Sequence, residues 1–165
     1  MTLETALLNF FSSFPRELAV ILIAALPVAE LRLSIPMAIV EFGFDPFTAF
    51  YLSIIGNMLP VIPLLLFLEP VSNFLRRWRI WDIFFTWLFT RTHHRHSAEF
   101  EKYGSLGLAV FVGIPLPATG AWTGCAAAFV FGFKFKNALL AIFAGVLMAG
   151  VIITILTVAG IKILL

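Results

Sequence analysis

The apolar positions of this chain gather into four long stretches, Leu18–Val40, Phe47–Glu69, Ser105–Phe133 and Ala138–Leu165. Each is long enough for a membrane crossing, which takes about 20 apolar residues as a helix. Two of them read as spans, Phe47–Glu69, with Gly56, Asn57, Pro60 and Pro63 inside it, and Ala138–Leu165, the cleanest. The others are interrupted near the middle, the first by Pro27, Glu30, Arg32, Ser34 and Pro36, the second by Gly113, Pro115, Pro117, Gly120 and Gly124. Proline removes a backbone donor and crowds the preceding turn, so helices stop at such clusters. Broken backbone at membrane depth survives only when buried in protein or lining a wet cavity. The pattern predicts two pairs of half-helices. The first pair meets at a tip around Glu30–Ser34, with Pro27 and Pro36 breaking the helix on its two sides. The second breaks at Pro115, Pro117, Gly120 and Gly124.

Outside these stretches the polar residues fall at helical spacing. Thr2–Phe14 has an apolar stripe of Leu3, Ala6, Leu7, Phe10, Phe11 and Phe14 with a polar back, ended by Pro15, which predicts a short helix lying in the membrane interface. Pro70–Tyr103 alternates Trp78, Trp81, Phe84 and Phe85 with Arg76, Arg77 and Asp82. Trp and Arg together suit an amphipathic helix at the waterline. The chain thus reads as one all-α membrane domain: an interfacial helix over 1–17, a first repeat over 18–69, a cytoplasmic amphipathic region over 70–104 and a second repeat over 105–165.

The word repeat rests on a shift of 89 positions, which lays Phe42-Gly43-Phe44 on Phe131-Gly132-Phe133, Gly56 on Gly145, Ala49 on Ala138 and Ala38 on Ala127. Both copies follow one plan of broken segment, Gly-Phe turn and clean span, and the two breaks coincide. Arg76, Arg77, Arg79, Arg91, Arg95 and Lys102 place the middle region in the cytoplasm. Lys134 and Lys136 stay on that side only if the second broken segment dips in and returns, whereas the turn Glu41–Asp45 has no bases and suits the outside. The expected architecture is therefore an inverted repeat of a re-entrant helical hairpin plus a transmembrane helix. In that plan the binding site lies near the midplane, where the breaks meet.

Composition agrees. Of 165 residues 61% are hydrophobic and 12% charged, against about 25% charged in a soluble domain. Lipid must be part of the solvent, and a multi-pass protein of the cell membrane is expected. The opening stretch is not expected to be a cleaved signal, because Arg16 follows it instead of preceding it. Cys125 is the single cysteine, so intrachain disulfides and thiol clusters are excluded. A net charge of +2 without a long basic run gives no nucleic-acid groove.

Glu30 and Arg32 carry the sharpest chemistry. An ionisable residue at membrane depth costs at least about 2.5–3.5 kcal/mol and marks function by default; the plainer reading is a self-neutralising structural pair. Arg32 offers a planar fork of donors to phosphate or carboxylate. A carboxylate in a low-dielectric cavity is easily protonated, which would let Glu30 exchange protons. Ser34 belongs to the same tip. In the second break, freed N–H groups at half-helix ends attract anions, Thr119 and Thr123 add hydroxyls, and Trp122 can wall a cavity. Against this, Gly120 and Gly124 form a packing face, and threonines often bond their own helix. Asn57 is a candidate site residue whose plainer role is an interhelical hydrogen bond. The stripe Ala141, Gly145 and Ala149 reads as packing. His93, His94 and His96 lack a carboxylate or cysteine at ligand spacing and read as a solvated loop. No nucleophile–base pair, phosphate loop, metal set or cofactor motif is found, so an enzyme is not expected.

Together the motifs Glu30-Leu-Arg-Leu-Ser-Ile-Pro36, Gly56-Asn57-Met-Leu-Pro60, Lys102-Tyr-Gly104 and Gly113-Ile-Pro-Leu-Pro-Ala-Thr-Gly-Ala-Trp-Thr-Gly124 resemble the small multi-drug export protein family. That family looks like a compact relative of the DedA (VTT-domain) superfamily, whose members carry paired re-entrant hairpins with acidic and arginine residues on them. Those relatives are associated with lipid scrambling and with recycling of polyprenyl-phosphate carriers. The resemblance implies a transporter or flippase for a polar or anionic solute, a lipid headgroup such as polyprenyl phosphate, or a small amphiphilic drug; the chemistry of Glu30 itself adds the expectation of proton coupling. Glu30 and Arg32 match the pattern on the first hairpin; Pro115, Pro117 and Thr119 depart from it on the second, where those relatives carry further charge. The expected partners are membrane lipids, the small substrate and further copies of the chain. A membrane enzyme acting on a lipid phosphate and a non-catalytic oligomeric scaffold are the alternatives.

Overall fold

A computed structural model describes residues 14–75, 98–116 and 119–164. The described residues are helical and loop only: α1 (Arg16–Ala25), α2 (Glu30–Val40), α3 (Pro46–Met58), α4 (Val61–Leu75), α5 (Ala98–Gly113), α6 (Ala121–Val130) and α7 (Phe135–Leu164). Nearly all of the N-terminal interfacial helix, most of the central amphipathic region and the three histidines lie outside the described residues, as does Pro117.

Pro27 ends α1 through the residue before it. Leu26 is held extended at ψ 138°, the region that a following proline imposes. After the turn the chain doubles back. Arg16, at the start of α1, donates from Nη1 to the carbonyl of Phe42, just past the end of α2, at 3.4 Å, and Ala19 and Ile23 pack with Met37 and Phe42. At 10 and 11 residues, α1 and α2 are each about 15 Å long, half of a bilayer core. In the second broken segment Gly104 and Gly107, in the middle of α5, line one groove with Phe131 and Phe133 beyond the end of α6.

Both hairpins close on a Phe-Gly-Phe turn. Gly43 and Gly132 take φ of 71° and 69°, and the following N–H reaches back into the helix, Phe44 to Ala38 O and Phe133 to Ala128 O, each at 2.9 Å. This is the left-handed glycine exit from a helix. Asp45 then starts α3 sharply. Its Oδ1 accepts from the N–H groups of Phe47 (3.0 Å) and Thr48 (3.1 Å), ahead of Pro46 in the first turn. The Thr48 side chain first, and then these backbone bonds, hold the exposed Asp45 carboxyl below the usual carboxylate range.

Two stretches are long and apolar enough to cross a membrane, Pro46–Leu68 and Phe135–Gly160. The first bends at Leu59–Pro60 between α3 and α4, with Leu59 N–H still bonded to Ile55 O and Leu64 N–H to Pro60 O. Each long helix packs on its own hairpin by bringing a glycine to backbone. A β carbon on Gly56 would strike the Ile21 carbonyl and Ala24; on Gly145 it would strike the Ala109 carbonyl and Val112. Helix α2 packs on α7, and α6 on α4. A core of Leu31, Ile35, Ile54, Val112, Ile142 and Val146 joins the two halves. Large apolar side chains also face outward, among them Phe47, Leu140, Ile155 and Leu156, a surface that suits lipid.

Two expected breaks are not breaks. Pro36 lies inside α2: one proline removes a single ladder bond, and the buried neighbours Ile35, Met37 and Ala38 hold the helix through it. Gly124 lies inside α6, where it gives Val112 room to approach. The first tip is accordingly Leu26–Ala29, with Glu30, Arg32 and Ser34 all on α2, and Glu30 as its first residue.

Candidate functional site

The two tips touch, and the contact is made by the charged residues of one and the backbone of the other. Glu30 is 8% exposed. Its Oε1 accepts from the backbone N–H of Trp122 at 3.3 Å, in the first turn of α6. That helix has Gly120 at its N-cap and no side-chain cap of its own. A free helix start presents unbonded N–H groups and a partial positive charge; Glu30 supplies the missing carboxylate from the other hairpin. The fit requires glycine twice over. A β carbon on Gly120 would overlap the Glu30 carboxylate, and the residue sits at φ 155°. Glu30 itself is held at φ 45°, a left-handed conformation costing a non-glycine residue about 1–3 kcal/mol and typical of functional sites.

Arg32 is half-buried and donates from Nη2 to the carbonyl of Thr119 in a short hydrogen bond. Trp122 returns the favour, its indole Nε1 donating to the Ala25 carbonyl at 3.1 Å. The Thr119 hydroxyl is committed to its own loop, donating to Ile114 O at 2.6 Å and accepting from Leu116 N–H at 3.0 Å. Thr123 is exposed and bonds Gly120 O at 3.2 Å, which is the self-capping role of a helix threonine.

Between the tips lies a cavity of about 10 Å³, lined by Glu30, Arg32, Asn57, Pro115, Thr119 and Gly120 together with apolar groups of α5 and α7. That is room for about one water molecule. Asn57 is 1% exposed, and its Oδ1 has no hydrogen-bond partner among the described residues. Ser34 is fully buried off the cavity wall, and neither Trp122 nor Thr123 lines it. Sequence reasoning missed Ser53, which is also fully buried with an unpartnered hydroxyl. The signal was its place one helical turn before Asn57. The cavity walls Val112, Val146, Ala149 and Ile153 carry no chemical mark in the sequence. Among the described residues no group of His, Cys, Asp and Glu could hold a metal ion.

Paired helical hairpins with charge at the tip of the first, each flanked by a helix long and apolar enough to cross a bilayer, mark a helical membrane protein. The family model for small multi-drug export proteins, a provisional description, matches residues 30–152, and the chain belongs to that family. Its name points to transport rather than catalysis. Comparison with curated proteins and with solved structures gave no match.

Proposed function

We propose that this protein is a multi-pass exporter of the cell membrane that moves a small amphiphilic anion through the junction of two re-entrant hairpins, one entering from each face. The observation that carries the reading is the tip-to-tip contact of Glu30 with Trp122 N–H and of Arg32 with Thr119 O. Each hairpin returns to its own open end, so tips that meet leave the open ends pointing apart. Inverted broken hairpins with a site at their junction are a recurring transporter plan. The cavity is far smaller than a drug-sized solute needs, so the arrangement described is closed. A substrate anion would compete for two groups: the Arg32 guanidinium, now spent on Thr119 O, and the N–H groups at the start of α6, now capped by Glu30. Opening the junction exchanges protein partners for substrate partners, and proton uptake by Glu30 would release α6. An apolar groove of about 370 Å³ between α5 and α6 offers room for the hydrophobic part of such a molecule.

The test is efflux of a fluorescent amphiphilic anion from vesicles holding the purified protein. Arg32→Ala should lose roughly tenfold or more of the rate, the factor that corresponds to about 1.4 kcal/mol. Glu30→Gln should keep the fold and lose the acceleration by an imposed pH gradient. Wild-type rates in both variants would overturn the reading and leave a scaffold role.

A further inference from the structure

The groove between α5 and α6 has a shape that its own walls do not explain. Gly104, Gly107 and Phe111 belong to one wall, and Ala127, Phe131 and Phe133 to the other. Its lining is apolar throughout, and at about 370 Å³ it reaches the size of a ligand pocket. Gly104 and Phe111 lie about two helical turns apart, so the groove runs about 10 Å along α5. Gly107, Phe111 and Phe131 are exposed, so it opens outward.

Gly107 carries the clearest sign of an occupant. Its neighbours in the hairpin owe their place to packing: a β carbon on Gly113 would strike Met148, and one on Gly124 would strike Val112. A β carbon on Gly107 would meet nothing within 4 Å. Glycine inside a helix is less favourable than alanine, and among the described residues no close approach requires it here. Glycine also serves where a ligand comes close to the backbone.

Charge at the end of the groove selects that ligand. Lys134 follows Phe133 directly, Lys136 stands in the first turn of α7, and both are exposed. Residues 132–137 include no acid. An apolar trough that ends at two bases on a lipid-facing surface fits a hydrocarbon chain with an anionic headgroup. The 76–97 stretch of this chain does not supply the anion, since it has Arg76, Arg77, Arg79, Arg91 and Arg95 against the one acid Asp82. We infer that the groove binds an anionic phospholipid, with one acyl chain lying over Gly107 and the phosphate at Lys134 and Lys136. The inference does not rest on export: a substrate tail would enter the groove by displacing the lipid, and lipid binding is read on the purified protein.

Thermal unfolding in a nonionic detergent is measured against added phosphatidylglycerol, phosphatidylcholine with the same chains, and glycerol 3-phosphate. The site predicts a saturable rise in Tm that is larger with phosphatidylglycerol than with phosphatidylcholine and absent with glycerol 3-phosphate. Lys134→Gln combined with Lys136→Gln should raise the half-saturating phosphatidylglycerol concentration about tenfold. Gly107→Leu fills the groove and should abolish the phosphatidylglycerol preference. Without lipid that variant should melt at or above the wild-type temperature, because no described atom lies against Gly107 and leucine is the better helix former. Equal rises with the two lipids would overturn the headgroup site and leave ordinary solvation by lipid. An equal rise with glycerol 3-phosphate would overturn the part given to the acyl chain. A preference that survives Gly107→Leu would place the lipid elsewhere and overturn the groove. A Gly107→Leu protein that melts lower without lipid would also overturn it, since the protein itself would then fill the groove.

Discussion

The two hairpins share a plan and divide the chemistry unequally. The first brings charge: Glu30 and Arg32 reach out from α2. The second brings none, and offers instead a glycine, a carbonyl and an N–H, from Gly120, Thr119 and Trp122. The absence of charge at the second tip is thus complementary to its presence at the first. A carboxylate needs a helix start without a side chain to cap, and a guanidinium needs a carbonyl freed from helical bonding. Two charged tips would meet with repulsion or with a salt bridge at membrane depth, where desolvation consumes most of the gain. One charged and one backbone tip avoid both outcomes.

The largest effect is expected from breaking the backbone side. Gly120→Ala places a β carbon in the Glu30 carboxylate at a φ that alanine disfavours, an overpacking that typically costs about 1–3 kcal/mol. It should lower Tm and cost roughly tenfold or more in efflux; a wild-type Tm would show that the tips are not in contact. Breaking the charged side should cost no more, without the added backbone strain, and depend on the replacement. Glu30→Ala uncovers the Trp122 N–H and should destabilise by about 1–3 kcal/mol, whereas Glu30→Gln keeps an acceptor and should lose about 1 kcal/mol. Denaturant unfolding in mixed micelles separates them, and equal losses would argue against capping. The smallest effect sharpens the comparison at the open ends, where Asp45 caps α3 and Lys134 stands at the matching place before α7. Because its bonds depress the Asp45 carboxyl, its contribution is present above the ordinary carboxylate pKa and fades as pH falls through the depressed value. Asp45→Asn keeps a capping oxygen and should flatten that acid-side decline in Tm.

The helical character, the two clean spans and the two interruptions were legible because hydropathy and proline act locally. The two Phe-Gly-Phe turns were legible as well, and both place glycine at positive φ. What the pattern misplaced was the first tip. Proline at 27 terminates a helix through Leu26, while proline at 36 is carried inside one; both are equally visible in sequence, and only packing on α2 distinguishes them. The partners of Glu30 and Arg32 were not legible either. They are backbone atoms about 90 positions away, and backbone carries no residue signature. Glycine at 120 was the one trace, and it read equally well as helix packing. Ser53 stayed hidden because a lone serine in a span is unremarkable until its hydroxyl proves to lack a partner.

The account turns on whether the hairpins enter from opposite faces and meet inside the bilayer. Cysteines placed at Glu41 and at Lys136, each alone in a Cys125→Ala background, can be labelled with a membrane-impermeant maleimide in right-side-out and inside-out vesicles. Opposite hairpins predict that the Glu41 position labels only in right-side-out vesicles and the Lys136 position only in inverted ones. Labelling of both positions from the same side would contradict it.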